Sequence, residues 1–189
     1  MTPTKELVEF QKQKVRFLEV LTRYKQMALS PIVEDELDIA ALLALCFSKI
    51  EHNIPLHAMW LLEKYVKAYP AQLQQVYPFL LARLGEINVD GSQRIVGNII
   101  ILLLARKTAI VLSVADEELL IEVVFNWMIA SGKAVAVIAN CFEILYLLSE
   151  RHIWIREELT AQIDYFCKSG PLSIQARGKK VQSLLQKKT

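Results

Sequence analysis

The sequence predicts an all-α protein, an α-α superhelix of stacked helix pairs. Three observations carry that prediction. Apolar residues recur at steps of three and four over most of the chain. Only six glycines and six prolines occur in 189 residues, and they fall between the periodic stretches. The periodic stretches themselves recur about every forty residues. A β fold needs turn signals every 8–12 residues or so, and tracts such as 4–29 and 116–130 contain none.

The first helix is expected from Thr4 to about Leu29, with Leu7, Phe10, Phe17, Leu21 and Tyr24 on one stripe and Ser30 and Pro31 ending it. That stripe packs as a cap on the first repeat or, with more heptads than are present, forms a coiled coil. A second helix, Asp35 to Glu51, is apolar almost all round from Ile39 to Phe47 and is expected to be buried on several sides. Pro55 suits the first turn of a third helix, which carries Ala58, Leu61, Leu62, Tyr65 and Val66 and closes at Tyr69 and Pro70. Pro78 reads as the start of the next helix, followed by Leu80, Leu81, Leu84 and Ile87. Asp90, Gly91 and Ser92 read as a turn with a ready N-cap before a helix reaching Lys107. Ser113 with Asp116 resembles a capping box before Leu119, Leu120, Val123, Val124 and Trp127, and Ser131 and Gly132 end that helix. Helices over Lys133 to Arg151 and Ile155 to Lys168 follow, the latter stopped by Ser169, Gly170 and Pro171, and a last helix runs to about Lys187.

Aligning His57, Arg94, Ala136 and Gln175 gives intervals of 37, 42 and 39 residues, each holding one helix pair. One residue on stand Ala58, Ile95, Val137 and Ala176; nine residues on stand Val66, Leu103, Leu145 and Leu184. Three residues on, Gly97, Ala139 and Gly178 are small where the first copy has Trp60. One helix pair cannot hide its apolar faces, and stacked neighbours bury them. The period is that of HEAT and armadillo repeats; the alternative is a compact helical bundle with accidental spacing. The expected organisation is one domain over 1–189, with an N-terminal capping helix over 1–30 and a C-terminal one over 172–189.

The runs LLIEVVFNWMIASGKAVAVIANCFEILYLLSERHIWIREEL and KIEHNIPLHAMWLLEKYV resemble a family of short bacterial HEAT-like proteins often catalogued as adenylosuccinate lyase. The resemblance spans roughly Lys49 to Leu185 and implies an α-α superhelix. Lyases of that name resemble chains of several hundred residues with a serine-rich mobile loop bearing Met-Pro, Lys and Asn. The nearest stretch here, Ser169 to Ser173, reads as a helix stop and start.

No catalytic, cofactor or metal motif emerges. Neither HExxH nor a CxxC pair is present, and glycines do not cluster before a helix as phosphate cradles require. His52, His57 and His152 head no recognised motif. Cys46, Cys141 and Cys167 are widely spaced within apolar stretches, which predicts buried thiols in a reducing compartment, the cytoplasm. The MTPTKELVEF start lacks the pattern of a secretory signal, and the apolar run from Ile95 to Ala105 is too short to span a bilayer.

A net charge of +2 is too mild to announce a polyanion partner. Some HEAT-like proteins resemble DNA alkylation repair glycosylases, which grip DNA in a basic groove. Arg94, Arg106, Lys107, Arg177, Lys179 and Lys180 are candidates for such a surface, but Glu117, Glu118, Glu122, Glu157 and Glu158 interleave charge that repels phosphate. The expected role is therefore a non-catalytic protein-interaction or scaffolding module that binds a protein partner, with no cofactor and no membrane association. Its candidate interaction surface lies opposite the apolar stripes, at Arg83, Glu86, Glu122, Asn126, Glu158 and Tyr165. Of the tryptophans, Trp127 shares an apolar stripe and reads as core, and Trp154 reads as the most exposed.

Overall fold

The computed structural model describes residues 12, 14–16, 39–49, 53–105, 108 and 110–187. The first expected helix lies outside these residues except at 12 and 14–16, which are helical. The described residues contain helices and no strand. They fall into two compact units, Met1–Val76 and Tyr77–Thr189, and each is described by itself.

In the first unit, α1 (Ile39–Cys46) packs against α2 (Ile54–Ala68). Ala41, Leu42, Leu43, Leu45 and Cys46 are buried, as the nearly all-apolar stretch requires. Pro55 occupies the first turn of α2, where a missing N–H costs nothing, and Ala58, Leu61, Leu62, Tyr65 and Val66 form the buried face. Glu63 is buried on this helix and accepts from Lys67 Nζ at 2.6 Å. A 3₁₀ turn over Pro70–Gln72 leads into α3 (Leu73–Ala82).

Pro78 corrects the expectation, since it lies inside α3 rather than at its start. A proline inside a helix ordinarily costs about 3 kcal/mol, through the lost N–H and a steric clash. Here it sits on the exposed side, and the carbonyl that its N–H would have met belongs to Gln74, also exposed and open to water. Leu73 and Val76 before the proline and Leu80 and Leu81 after it are buried. The helix ends at Ala82, and Leu84 and Ile87 belong to a 3₁₀ turn and its exit.

The second unit is built around α6 (Val135–Leu148), which packs against α4 (Asp90–Leu104), α5 (Val114–Ile129), α7 (Ile155–Ser169) and α8 (Leu172–Gln186). Helices α4, α6 and α8 hold the equivalent positions 94, 136 and 175 and contact one another in that order, so stacking joins successive copies here. Ile95, Val137, Leu103 and Leu145 are all buried, as the register predicts. Ala176 departs from it and is exposed. Helix α8 buries Ile174, Gly178, Val181 and Leu185 instead, because its neighbours α6 and α7 cover only that side.

The small residues mark close approach. A Cβ at Gly97 would lie 2.8 Å from Asn140 Nδ2, and one at Gly178 would lie 2.7 Å from Ile163 Cγ2. Asn140 is the repeat equivalent of Asn98, and its amide donates to Asn98 Oδ1 at 3.0 Å and to the Arg94 carbonyl at 2.9 Å. The two copies are thus joined by polar as well as apolar contacts.

The Asp90 cluster also differs from expectation. Val89 is the N-cap of α4, and Asp90, Gly91 and Ser92 are its first turn. The Asp90 carboxylate reaches the next copy, where it accepts from the Ala134 N–H at 2.7 Å and from Lys133 Nζ at 2.9 Å. Lys133 also donates to Gln93 Oε1, and Gln93 Nε2 donates to the Ile87 carbonyl. Gly132, at φ 71°, supplies the left-handed turn that precedes Lys133. The helix expected from Lys133 therefore starts at Val135, while Lys133 and Ala134 serve this junction. The expected extension of α4 to Lys107 lies outside the described residues; α4 ends at Leu104.

Two tests follow from this packing. Gly97→Ala gains about 1 kcal/mol of helix propensity but displaces Asn140 from two hydrogen bonds, each worth roughly 1 kcal/mol. The expected net loss is about 1 kcal/mol by urea denaturation, and Gly97→Ala with Asn140→Ala together should cost less than their sum. Asp90 titrates below its ordinary value of 3.8, first through the Lys133 hydrogen bond and then through the Ala134 N–H. Its contribution to stability is complete above the ordinary carboxylate range and disappears as pH falls through its depressed pKa. An Asp90→Asn variant should therefore lose less stability than the parent between neutral and acidic pH in parallel denaturation curves.

Candidate functional site

The site grows from the start of α5. Ser113 Oγ accepts from the Asp116 N–H at 3.1 Å, and Asp116 Oδ2 accepts from the Ser113 N–H at 3.3 Å, completing the expected capping box. The next residue, Glu117, sits in the first turn, where a negative charge is favoured by the helix dipole. Reading Glu117 as a surface charge that repels phosphate is corrected by the structure: it is only 3% exposed.

Its carboxylate instead holds the loop between α6 and α7. Arg151 Nη1 donates to Glu117 Oε1, and His152 Nε2 lies 2.7 Å from Glu117 Oε2. An ionised carboxylate only accepts, so with Glu117 ionised Nε2 carries the proton. Arg151 also donates to the Leu112 carbonyl at 3.4 Å, just before α5, and Arg156 Nε donates to the Ser149 carbonyl at 3.3 Å. Arg151 and His152 thus fix, through Glu117 and the Leu112 carbonyl, where the loop crosses α5, and the Arg156–Ser149 bond closes that loop on itself.

That crossing places Trp154. It is the N-cap of α7, and its indole stacks on Phe125 of α5 with centroids 6.3 Å apart and planes inclined by 19°. Trp154 is 59% exposed, whereas Trp127 on α5 is 6% exposed, matching the expectations for both. A cleft of about 300 Å³ opens there, lined by Glu118, Ile121, Glu122, Phe125, His152 and Trp154. A second cleft, of about 420 Å³, lies between α7 and α8, with Arg156, Asp164 and Gln186 among its walls.

Of the six residues chosen from sequence, Glu122 alone lines the aromatic cleft. Asn126 is exposed one turn further along α5. Glu158, one turn into α7, accepts from Gln162 Nε2 at 2.8 Å, and Tyr165, exposed two turns beyond, meets the Phe166 ring edge-on. Arg83 and Glu86 form a two-pronged ion pair with both bonds at 2.9 Å, and the Arg83 guanidinium lies over Phe79. Glu118, Phe125 and His152 were not among the sequence candidates for this surface. His152 and Glu117 are 35 residues apart, and no spacing rule links them.

Cys141 is buried, and burial pushes its thiol up to about 12, far from a reactive thiolate. Among the described residues no group of His, Cys, Asp and Glu is arranged to hold a metal ion, and no buried side-chain nitrogen or oxygen lacks a hydrogen-bond partner. No helix among them is long and apolar enough to cross a membrane. Arg177, one of the basic candidates for a polyanion surface, pairs with Glu143 at 3.2 Å; Arg106 and Lys107 lie outside the described residues.

Replacing Glu117 by Gln removes the charge from a buried acceptor shared by Arg151 and His152. Because Arg151 is about half exposed, the expected cost is roughly 1–3 kcal/mol, less than for a fully buried pair. Denaturation curves measure that loss, and altered Trp154 fluorescence in the folded variant should report the freed loop.

In comparisons with known proteins, a HEAT repeat domain model matches residues 19–182, most of the chain. No curated protein and no solved structure matches. With copies α4, α6 and α8 stacked in register and the family model spanning nearly the whole sequence, the chain belongs to the HEAT repeat family.

Proposed function

We propose that this HEAT repeat protein is a non-catalytic interaction or scaffolding module that binds a protein partner on the surface formed by α5, the loop before α7 and α7. The observation that carries the reading is Trp154: a large aromatic side chain left mostly exposed, braced by Phe125 and held in place by the buried Glu117 cluster. Aromatic anchors on rigid supports supply much of the binding energy at protein interfaces. Ile153, also exposed, extends the apolar patch beside it. Glu122, Asn126, Glu158 and Tyr165 form the polar rim, which sets specificity and association rate more than affinity. Arg83 and Glu86 pair with each other and do not line the cleft.

An acid-lined cleft repels phosphate, so it lends no support to a nucleic-acid role. The free, buried thiols of Cys46 and Cys141 support residence in a reducing compartment such as the cytoplasm.

Quantitative affinity purification from the native cell tests the proposal, comparing the parent with Trp154→Ala and with Glu122→Lys plus Glu158→Lys. The expected outcome is that the same specific partners are lost from both variants and kept by a Lys179→Glu control. Partner sets that remain identical across all four proteins would count against this surface.

A further inference from the structure

We infer that the cleft between α5 and residues 152–154 receives an arginine side chain carried by an extended segment of a partner protein. This rests on the protein-interaction reading above and gives its surface a ligand chemistry. At about 300 Å³ the cleft is at the small end of ligand sites and suits a single long side chain. Ile121 and Phe125 line it with apolar surface, and the exposed Trp154 indole forms a wall.

Glu118 and Glu122 line the same cleft from α5. They are one helical turn apart, so their carboxylates are neighbours that repel each other. Neither is paired with another described residue, in contrast to Glu117, whose charge is already met by Arg151 and His152. The cleft therefore combines an aromatic face with two carboxylates that hold no ion pair among the described residues, its His152 being already committed to Glu117, and a cation placed between the two carboxylates relieves their repulsion.

A guanidinium fits both features at once. Its plane stacks on an aromatic face, and its fork of donors meets carboxylates in pairs. A lysine ammonium is a compact, strongly hydrated point charge that gains less from the flat wall. Acidic segments and phosphates are repelled from the same lip.

The test titrates the ¹⁵N-labelled full chain with an acetylated, amidated Gly-Arg-Gly peptide and follows the indole N–H resonances, with Trp154 assigned from Trp154→Phe. The expected result is a saturable shift of the Trp154 indole with the buried Trp127 unmoved. The response should be several-fold weaker with Gly-Lys-Gly, absent with the citrulline peptide and lost in Glu118→Gln plus Glu122→Gln. Both substitutions are at exposed helix positions, and unchanged amide spectra of the double variant verify its fold. No shift with the arginine peptide, an equal response to lysine or citrulline, or binding that survives in the double variant would overturn the inference. Should partners still be lost from Trp154→Ala in the purification while the arginine peptide is silent, the interaction surface stands and only the arginine assignment falls.

Discussion

Helix α6 is the constraint around which the second unit is arranged. Its fourteen residues carry Val137, Ile138, Cys141, Phe142, Ile144, Leu145 and Leu148 buried on one broad face, with Phe142 fully enclosed, and of the rest only Ala136 is exposed, the others being half-buried. Leaving such a helix in water costs about 25 cal/mol for each Å² of apolar surface, so it must be surrounded. Helices α4 and α8 flank it as repeat equivalents, and α5 and α7 pack against it as well. An amphipathic helix with a single apolar stripe would have required only one such neighbour.

Once that burial is satisfied, polar contacts choose among the ways neighbouring copies can slide or rotate. Apolar contact is non-directional, whereas hydrogen bonds are not. Asn140 to Asn98 and Arg94, and Asp90 to Ala134 and Lys133, fix how α6 lies against α4. Arg177 to Glu143 and Gln182 to Asp164 do the same for α8 against α6 and α7. These contacts join residues 18–46 positions apart, about one repeat or less, which is why they depend on the stacking and do not create it.

The Glu117 cluster extends the same logic from scaffold to surface. A buried carboxylate is costly unless its acceptors are met, and Arg151 and His152 meet them. The consequence for function is positional. With the loop held on α5, Trp154 projects beside Phe125, Glu118 and Glu122 and does not fold back into the core. The exposure of one aromatic ring thus accompanies the satisfying of a buried acid by the residues two and three positions before that tryptophan in the loop.

Local patterns made the helices, the capping box at Ser113, the family of the fold and the contrast between Trp127 and Trp154 legible in the amino-acid sequence, because each rests on neighbours within a few positions or on a repeated apolar face. Where two local signals compete, the sequence misleads: Pro78 signals a helix start, although Leu73 and Val76 before it and Leu80 and Leu81 after it are buried and the helix runs through it, and Asp90 resembles a cap for its own helix although it serves the next. Of the surface residues, Glu122 was legible as a polar position opposite an apolar stripe; Glu118 and His152 were not, since which polar residue borders a cleft depends on the loop that crosses it. Sequence by itself determined the helical repeat, because periodic burial is written along the chain. Tertiary structure alone decided that Glu117 is buried and that an aromatic cleft opens above it, because both depend on Arg151, His152 and Trp154 arriving from the next repeat, beyond the reach of any local pattern.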